Sequence, residues 1–246
     1  MAFVEGLRLN AASYPAALSS IASPPERLWV RGSLPPPSAV AIVGTRQPSG
    51  FGRDMAQAAA TTALAAGLAV VSGLAIGVDT VAHETVLALG GLTWAVIGSG
   101  VDVPTPVSNT QLAEEIVASG GGLIAEVPPG TQVSARNLVA RDRIQSGLSL
   151  AVLICQCETT SGTMHTARFA AEQGRLLVVA RPVRAQRDEK ASSGNLALID
   201  PEGCDPSLLS ARGETAELVR RRRPMADIVL ESPDELAGMW RWLQAR

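Results

Sequence analysis

Short apolar runs alternate with segments of helical pattern along most of the chain, beginning at residue 39. Nearly every residue in these runs is apolar, and several of the runs end at a glycine or a serine. Strands that are apolar on both faces and alternate with helices predict a doubly wound α/β fold, in which helices cover both faces of a mainly parallel sheet. The predicted strands are residues 39–44, 68–72, 93–98, 123–126, 149–155 and 176–180, and the predicted helices are residues 52–66, 79–89, 108–118 and 163–173.

The chain has a different pattern on either side of this alternation. Prolines interrupt residues 1–38, which predicts an N-terminal lead-in that packs on the core. Residues 39–205 are predicted to form a Rossmann-like core domain, of which residues 181–205 have no regular pattern and are expected to be a loop. Residues 206–246 are predicted to form a C-terminal helical segment.

The C-terminal segment contains two predicted helices, at residues 213–223 and 233–245. The second helix carries three large apolar side chains, Met239, Trp240 and Trp242. In one interpretation these side chains pack against the protein's own core. In the other they are exposed and are candidate contacts to a second copy of the chain.

Composition narrows the class of protein. Hydrophobic residues make up 46% and charged residues 18% of the chain, which is ordinary for a globular protein. No apolar run reaches the roughly 20 residues of a membrane helix, and the N-terminus lacks a signal-peptide pattern, so we expect a cytoplasmic protein without membrane contact. Cys155, Cys157 and Cys204 are odd in number and lack metal-site spacing, which predicts neither a disulfide framework nor a bound metal.

Charge is distributed unevenly, although the formal net charge is only −2 at pH 7. Residues 131–223 hold more basic than acidic side chains, whereas residues 1–130 hold more acidic ones. A local basic excess of this size is a weak indication of a polyanionic partner such as nucleic acid.

Glycine-containing loops follow four of the predicted strands, the first, second, third and fifth. Ligands of a doubly wound sheet bind at the carboxyl ends of its strands, where backbone N–H groups at a turn or a helix start favour anions. None of these loops has the dinucleotide fingerprint G-x-G-x-x-G or the P-loop sequence, so together they predict a phosphate site without a cofactor. The loop residues predicted to contact phosphate are Gly44, Thr45, Arg46, Ser49, Ser72, Gly73, Gly77, Ser161, Gly162 and Thr163.

Three residues near these loops are candidates for a supporting role. Asp79 and His83 are four residues apart and would share a helix face. Asp79 would then cap its helix, hold His83 for acid–base work, or join a purely structural hydrogen bond beneath the loop. Glu126 stands at the end of the fourth predicted strand.

Two arginines lie between the fourth and fifth predicted strands, in a segment expected to be a connecting loop. Arg141 and Arg143 are close enough in sequence to contact neighbouring phosphates. Alternatively, Asp142 pairs with one of them in a surface salt bridge.

Four motifs, in this order, resemble those of the DNA-processing protein A (DprA, also called Smf) family. Residues 44–49 resemble G-[ST]-R-x-x-[ST], and residues 72–83 resemble S-G-L-A-x-G-I-D-x-x-A-H. Residues 141–149 resemble R-N-R-I-I-A-G-L-S, and residues 161–175 resemble S-G-S-L-x-T-A-x-x-A-x-E-Q-G-R. The likeness extends over about residues 10–200, within a Rossmann-like core of the wider superfamily that includes the LOG phosphoribohydrolases.

The resemblance implies a non-enzymatic protein that binds single-stranded DNA, forms homodimers and delivers DNA to the recombinase RecA during natural transformation. Three departures reduce the positive charge that the family presents to DNA, because Ile76 replaces an arginine, Asp142 an asparagine and Thr160 a basic residue. Carried over by motif, the residues that would face phosphates are Arg46, Ser72, Gly73, Arg141 and Arg143.

A non-catalytic nucleotide sensor of the LOG-related superfamily is the main alternative, because a phosphate pocket can hold a single nucleotide. The LOG enzymes themselves carry P-G-G-x-G-T-x-x-E, of which this chain keeps only residues 161–163. An NAD-dependent oxidoreductase is disfavoured because the dinucleotide fingerprint is absent. No serine–histidine–acid constellation is recognisable either, so the sequence predicts a binding protein rather than an enzyme.

Overall fold

The structure is a computed structural model, and it describes residues 4–187, 189–202 and 224–245. The strands of these residues form one sheet in the order β1-β2-β6-β5-β4-β3-β7-β8-β9. Neighbours from β6 through β9 pair in parallel, whereas β1 pairs with β2 and β2 with β6 in antiparallel fashion. The predicted mainly parallel α/β sheet is therefore confirmed. The strands are β1 (Val4–Arg8), β2 (Arg27–Gly32), β3 (Ala39–Val43), β4 (Ala69–Ser72), β5 (Thr93–Val96), β6 (Gly122–Ala125), β7 (Ala151–Ile154), β8 (Leu176–Ala180) and β9 (Ile228–Leu230).

Helices connect the parallel strands and pack on the sheet. The helix predicted at residues 108–118 begins at Thr110, directly after a 3₁₀ turn over Val107–Asn109. Ser108 lies within that turn and does not cap the helix. Within the described ranges, none of the helices has the length and apolar character needed to cross a membrane. The helices are α1 (Ala16–Ser19), α2 (Gly50–Ala65), α3 (Val78–Ala88), α4 (Thr110–Ala118), α5 (Ala135–Gly147), α6 (Thr163–Glu172), α7 (Ser193–Ile199) and α8 (Leu236–Gln244).

Helix α5 occupies the segment that the sequence analysis expected to be a connecting loop, so that prediction was wrong. The Ser134 side chain caps the helix by accepting a hydrogen bond from the Asn137 backbone N–H at 3.2 Å. The helix has no apolar stripe, because the face it buries carries Asp142, Gln145 and Ser146. A helix that buries polar groups gives no periodic hydrophobic signal.

Elements also appear at both ends of the predicted core. The N-terminal lead-in supplies β1 and β2, and the C-terminal segment supplies β9, so both extend the same sheet. Helix α7 lies within residues 181–205, where the sequence analysis expected an irregular loop, and that prediction was also wrong. The predicted helix at residues 213–223 lies outside the described residues.

Helix α8 packs against α2 through side chains that had been candidates for a dimer contact. Trp240 is fully buried and Met239 is nearly so, which excludes them as exposed contacts. The Trp240 indole N–H donates a hydrogen bond to the Thr62 hydroxyl at 3.1 Å, while Trp242 remains 42% exposed. Met239 and Trp240 therefore pack against the protein's own core.

Tyr14 fastens the lead-in by a buried hydrogen bond from its hydroxyl to the Pro25 carbonyl at 2.8 Å. Burial raises the pKa of Tyr14 to about 12, so the phenol stays a donor throughout the physiological range. We expect Tyr14→Phe to lower the free energy of unfolding by about 1 kcal/mol, because it leaves that carbonyl without its donor. Urea denaturation followed by circular dichroism measures the loss, and Ser20→Ala, which removes an exposed hydroxyl, serves as the control.

Candidate functional site

One cavity of about 480 Å³ lies where the loops after β3, β4 and β7 meet helix α5. The carboxyl ends of parallel strands lie at one edge of the sheet, so residues that are far apart in sequence converge there. Of the predicted site residues, Gly44, Thr45, Arg46, Asp79, Arg141, Ser161, Gly162 and Thr163 line this cavity. The others, Ser49, Ser72, Gly73, Gly77, His83, Glu126 and Arg143, lie outside its lining.

The loops after β3 and β4 pack directly on each other. The Val78 backbone N–H donates to the Thr45 carbonyl at 3.2 Å. Gly77 has a φ of +91°, and a Cβ atom at this position would collide with the Thr45 carbonyl oxygen. Gly77 is therefore required for the close approach of the two loops, and its contribution to an anion site is indirect.

Backbone N–H groups at the cavity are available to an anion. Within the described residues, no acceptor is found for the backbone N–H groups of Arg46, Gly162 and Thr163. Gly162 and Thr163 begin helix α6, so the positive end of the helix dipole adds to these donors. The Arg46 side chain is exposed at the cavity and forms no salt bridge with other described residues.

Arg141 reaches the cavity from α5, but its guanidinium is held by the protein. Its Nη1 donates to the Val96 carbonyl at 3.0 Å and to Gln145 Oε1 at 2.6 Å, while Nε lies 3.1 Å from Asp142 Oδ1. The side chain is 11% exposed. A Cβ atom at Gly73 would overlap the guanidinium, so Gly73 makes room for Arg141.

Two carboxyl groups surround this buried cation. Burial raises the pKa of Asp79, and the charge of Arg141 together with a hydrogen bond from the Ala75 N–H opposes that shift. Burial also raises the pKa of Asp142 to about 7, where the charge of Arg141 again opposes the shift and the nearby Asp79 reinforces it. Asp142 therefore changes charge near neutral pH at the wall of the cavity.

His83 is a buried structural residue. Its Nδ1 lies 2.8 Å from the Thr93 hydroxyl, which donates to the Val70 carbonyl at 3.0 Å. Burial, assisted by the charge of Arg141, lowers the pKa of His83 to about 3, so the imidazole is neutral at physiological pH. Of the three interpretations of the Asp79 and His83 pair, a structural role fits this geometry best.

Arg143 and Glu126 form a pair with each other, away from the cavity lining. Two nitrogens of the Arg143 guanidinium donate to the two carboxylate oxygens of Glu126, at 2.8 Å and 2.6 Å. Arg143 Nε donates to the Ser23 carbonyl at 2.9 Å. The guanidinium is thus committed to protein acceptors, which does not support the predicted phosphate contact of Arg143. The salt bridge considered between Asp142 and an arginine does exist, with Arg141, but it is buried rather than on the surface.

Gln156, which the sequence analysis did not single out, connects the loop after β3 to Ser192 through its side-chain amide. Its amide oxygen accepts from the Ser49 backbone N–H at 2.9 Å, and its amide nitrogen donates to the hydroxyls of Ser49 and Ser192, each at 3.0 Å. Ser49 is thereby tied to Gln156. The available signal was a polar residue between Cys155 and Cys157, directly after an apolar strand.

The comparison with protein families decides the family of the chain. Residues 6–207 match the model of the DNA recombination-mediator protein A family. The chain belongs to this family. The resemblance to DprA and Smf proteins inferred from the motifs is therefore confirmed.

Relatives of this family match in sequence and in fold. Protein Smf of Synechocystis is 39% identical over 168 residues, which are 66% of this chain and 42% of the relative. DprA of Streptococcus pneumoniae has a TM-score of 0.74 at 27% identity, covering 95% of this chain and 73% of its own. DprA of Helicobacter pylori, whose structure is described as revealing a unique single-stranded DNA binding mode, has a TM-score of 0.67 at 25% identity over 89% of this chain and 94% of its own. The chain spans less than half the length of the Synechocystis relative.

Three residues that depart from the family motifs lie at the cavity. Ile76, Asp142 and Thr160, which the motif comparison marked as departures, all line it. Ile76 is 44% exposed and Thr160 is also exposed, whereas Asp142 is buried. The cavity therefore has an apolar rim at Ile76 and a carboxyl group in its wall.

Proposed function

We propose that this protein binds single-stranded DNA and holds a phosphate of the strand in the cavity. The observation that carries the proposal is the convergence of Arg46 and the start of helix α6 on one cavity, although they are far apart in the chain. The membership of the DNA recombination-mediator protein A family and the single-stranded DNA binding described for the Helicobacter pylori protein support it.

The phosphate contacts follow from the donors that remain available. The backbone N–H groups of Gly162 and Thr163 can donate hydrogen bonds to a phosphate, and the positive end of the helix dipole strengthens them. The exposed Arg46 side chain supplies a charge-assisted hydrogen bond. Ile76, Leu138 and Val139 give the same cavity an apolar wall that fits the sugar or base of a nucleotide. A strand that lies along this wall places neighbouring phosphates on either side of the cavity.

Arg141 acts mainly from within the protein in this proposal. Its Nη1 is committed to Val96 and Gln145, and its Nε is ion-paired with Asp142, so the protein fixes the position of the guanidinium. Among the described residues, no acceptor is found for Nη2, which leaves this nitrogen as the donor that Arg141 could offer to a phosphate. The neutral, buried His83 lies outside the cavity lining and offers no acid–base group to a bound phosphate. We therefore propose binding without chemical turnover.

The partners belong to the same proposal. We also propose a cytoplasmic protein. A homodimer and delivery of DNA to RecA are what the motif resemblance implies. Light scattering at tens of micromolar protein tests the dimer directly. A monomer mass at that concentration would contradict it.

Arg46→Ala tests the DNA site, because it removes an exposed cation and alters no described hydrogen bond. We expect weaker binding of a labelled oligothymidylate, by about tenfold, and a salt dependence whose slope falls by about 0.7 for the lost phosphate contact. Fluorescence anisotropy at several salt concentrations measures both quantities. Arg8→Ala, at an exposed arginine of β1 outside the cavity lining, is the matched control.

The same titrations address the alternative of a nucleotide sensor, which the nucleotide-sized volume of the cavity favours. A sensor would bind a mononucleotide tightly and with a shallow salt dependence, and it would bind an oligonucleotide no better. If Arg46→Ala abolishes mononucleotide binding and leaves oligonucleotide binding unchanged, the DNA proposal is wrong.

A further inference from the structure

Most of the charged side chains that line the cavity lie beside an opposite charge. Arg141 is paired with Asp142 at 3.1 Å, and Glu158 is paired with Lys190 at 3.2 Å. The buried Asp79 carboxyl accepts a hydrogen bond from the Ala75 backbone N–H at 3.2 Å and lies near the Arg141 charge. Arg46 is then the cation of the described lining that has no carboxylate salt bridge.

One uncompensated cation matches an anion with one negative charge. A phosphodiester within a DNA strand carries a single charge. A phosphomonoester, as in a free nucleotide or at a phosphorylated strand end, carries close to two charges above its second pKa of about 6. The second charge would find no cation in the cavity and would face the Asp142 carboxylate.

We propose that Asp142 makes the cavity select singly charged phosphodiesters over doubly charged phosphomonoesters. This inference rests on the proposed function, because it names which phosphate the DNA site accepts. The Asp142 side chain is only 7% exposed, so water screens its repulsion toward a second negative charge less than at an exposed site. The polar and charged groups near the Asp142 carboxyl are Arg141 on the same helix, Asp79 on α3, Thr166 on α6 and Arg46 in the loop after β3.

The selection favours the interior of a DNA strand over the free nucleotides of the cell. A carboxylate in the wall lowers the affinity of the site for every anion, but it lowers the affinity for a dianion more. The cavity thus loses some binding strength and gains discrimination. A site built to sense a free nucleotide would have the opposite charge balance.

A matched pair of small competitors tests the proposal at pH 8, where Asp142 is mostly ionised. Thymidine 5′-monophosphate and its O-methyl ester share the nucleoside and differ by one charge. Each displaces a labelled oligothymidylate without terminal phosphates, at constant ionic strength. We expect the ester to compete with wild type at a concentration about fivefold to tenfold lower than the monophosphate.

Asp142→Asn keeps the shape of the side chain and removes its charge. We expect this variant to lose the preference for the ester, so that the ratio of the two inhibition constants falls by about fivefold. Asp54→Asn changes the net charge equally at an exposed site of α2 outside the cavity, and it should keep the wild-type ratio. Asp142→Ser provides a second test if the asparagine variant does not fold, as judged by circular dichroism.

The inference is wrong if the monophosphate and the ester displace the oligonucleotide equally from wild type, or if neither displaces it. It is also wrong if Asp142→Asn keeps the wild-type ratio. The proposed function has a separate test. It is wrong if Arg46→Ala leaves the affinity for the oligonucleotide unchanged, whatever the ratio of the two inhibition constants.

Discussion

Replacing Trp240 by alanine is expected to lower the free energy of unfolding by about 3–5 kcal/mol, the usual cost of a large cavity in a core. Trp240 lies on α8 and is fully buried in the same apolar cluster as residues of α2. Its indole N–H donates a hydrogen bond to the Thr62 hydroxyl. The truncation removes the packing of the ring and leaves the Thr62 hydroxyl without this donor. Urea denaturation followed by circular dichroism measures the loss.

Trp242→Ala is the matched control, because it removes the same side chain from the same helix at a position that is 42% exposed. We expect it to cost less than about 1.5 kcal/mol, since less apolar area leaves water at that site. Equal losses in the two variants would contradict the placement of α8 on α2.

Asp142→Asn is expected to remove a pH dependence of stability that amounts to as much as about 4 kcal/mol. Burial raises the pKa of Asp142 from 3.8 to about 7 in the folded protein. Between these two values the folded state binds a proton that the unfolded state does not, so wild-type stability falls as the pH rises from about 4 to about 7 and then levels off. The asparagine variant has no such proton to lose.

The stability difference between the two proteins should therefore be small near pH 4 and should favour Asp142→Asn above pH 7. Urea denaturation at pH 4.5, 6 and 8 measures it, with Asp54→Asn as the control for net charge. A constant difference across these pH values would show that the Asp142 carboxyl is not forced to ionise in a buried position.

The core of the fold could be predicted because its strands are buried on both faces. Each of the strands β3 to β8 is a short apolar run that no amphipathic helix would show. Strand β2 has the alternating pattern of a strand with one exposed face, and the surrounding prolines obscured it. Helix α5 could not be predicted from periodicity, because the side chains it buries include Asp142 and Gln145.

The positions of the loops that form the candidate site could be predicted from the sequence, but the partners of its charged side chains could not. Glycines that directly follow apolar strands identified the loops, since those positions converge in any doubly wound sheet. The pairing of Arg143 with Glu126 joins α5 to the end of β6 and depends on how α5 packs. The hydrogen bonds of Arg141 Nη1 depend in the same way on contacts with Val96 and Gln145. Sequence spacing therefore suggested two phosphate-binding arginines on α5 where the structure gives both of them protein partners.

A crystal structure of the protein with a short oligothymidylate tests the central claim most directly. We expect one phosphodiester group in the cavity, with an oxygen about 3 Å from the backbone N–H of Gly162 or Thr163 and within reach of the Arg46 guanidinium. The adjoining sugar or base should contact the apolar wall at Ile76. A strand bound on another surface, with no phosphate in the cavity, would contradict the account.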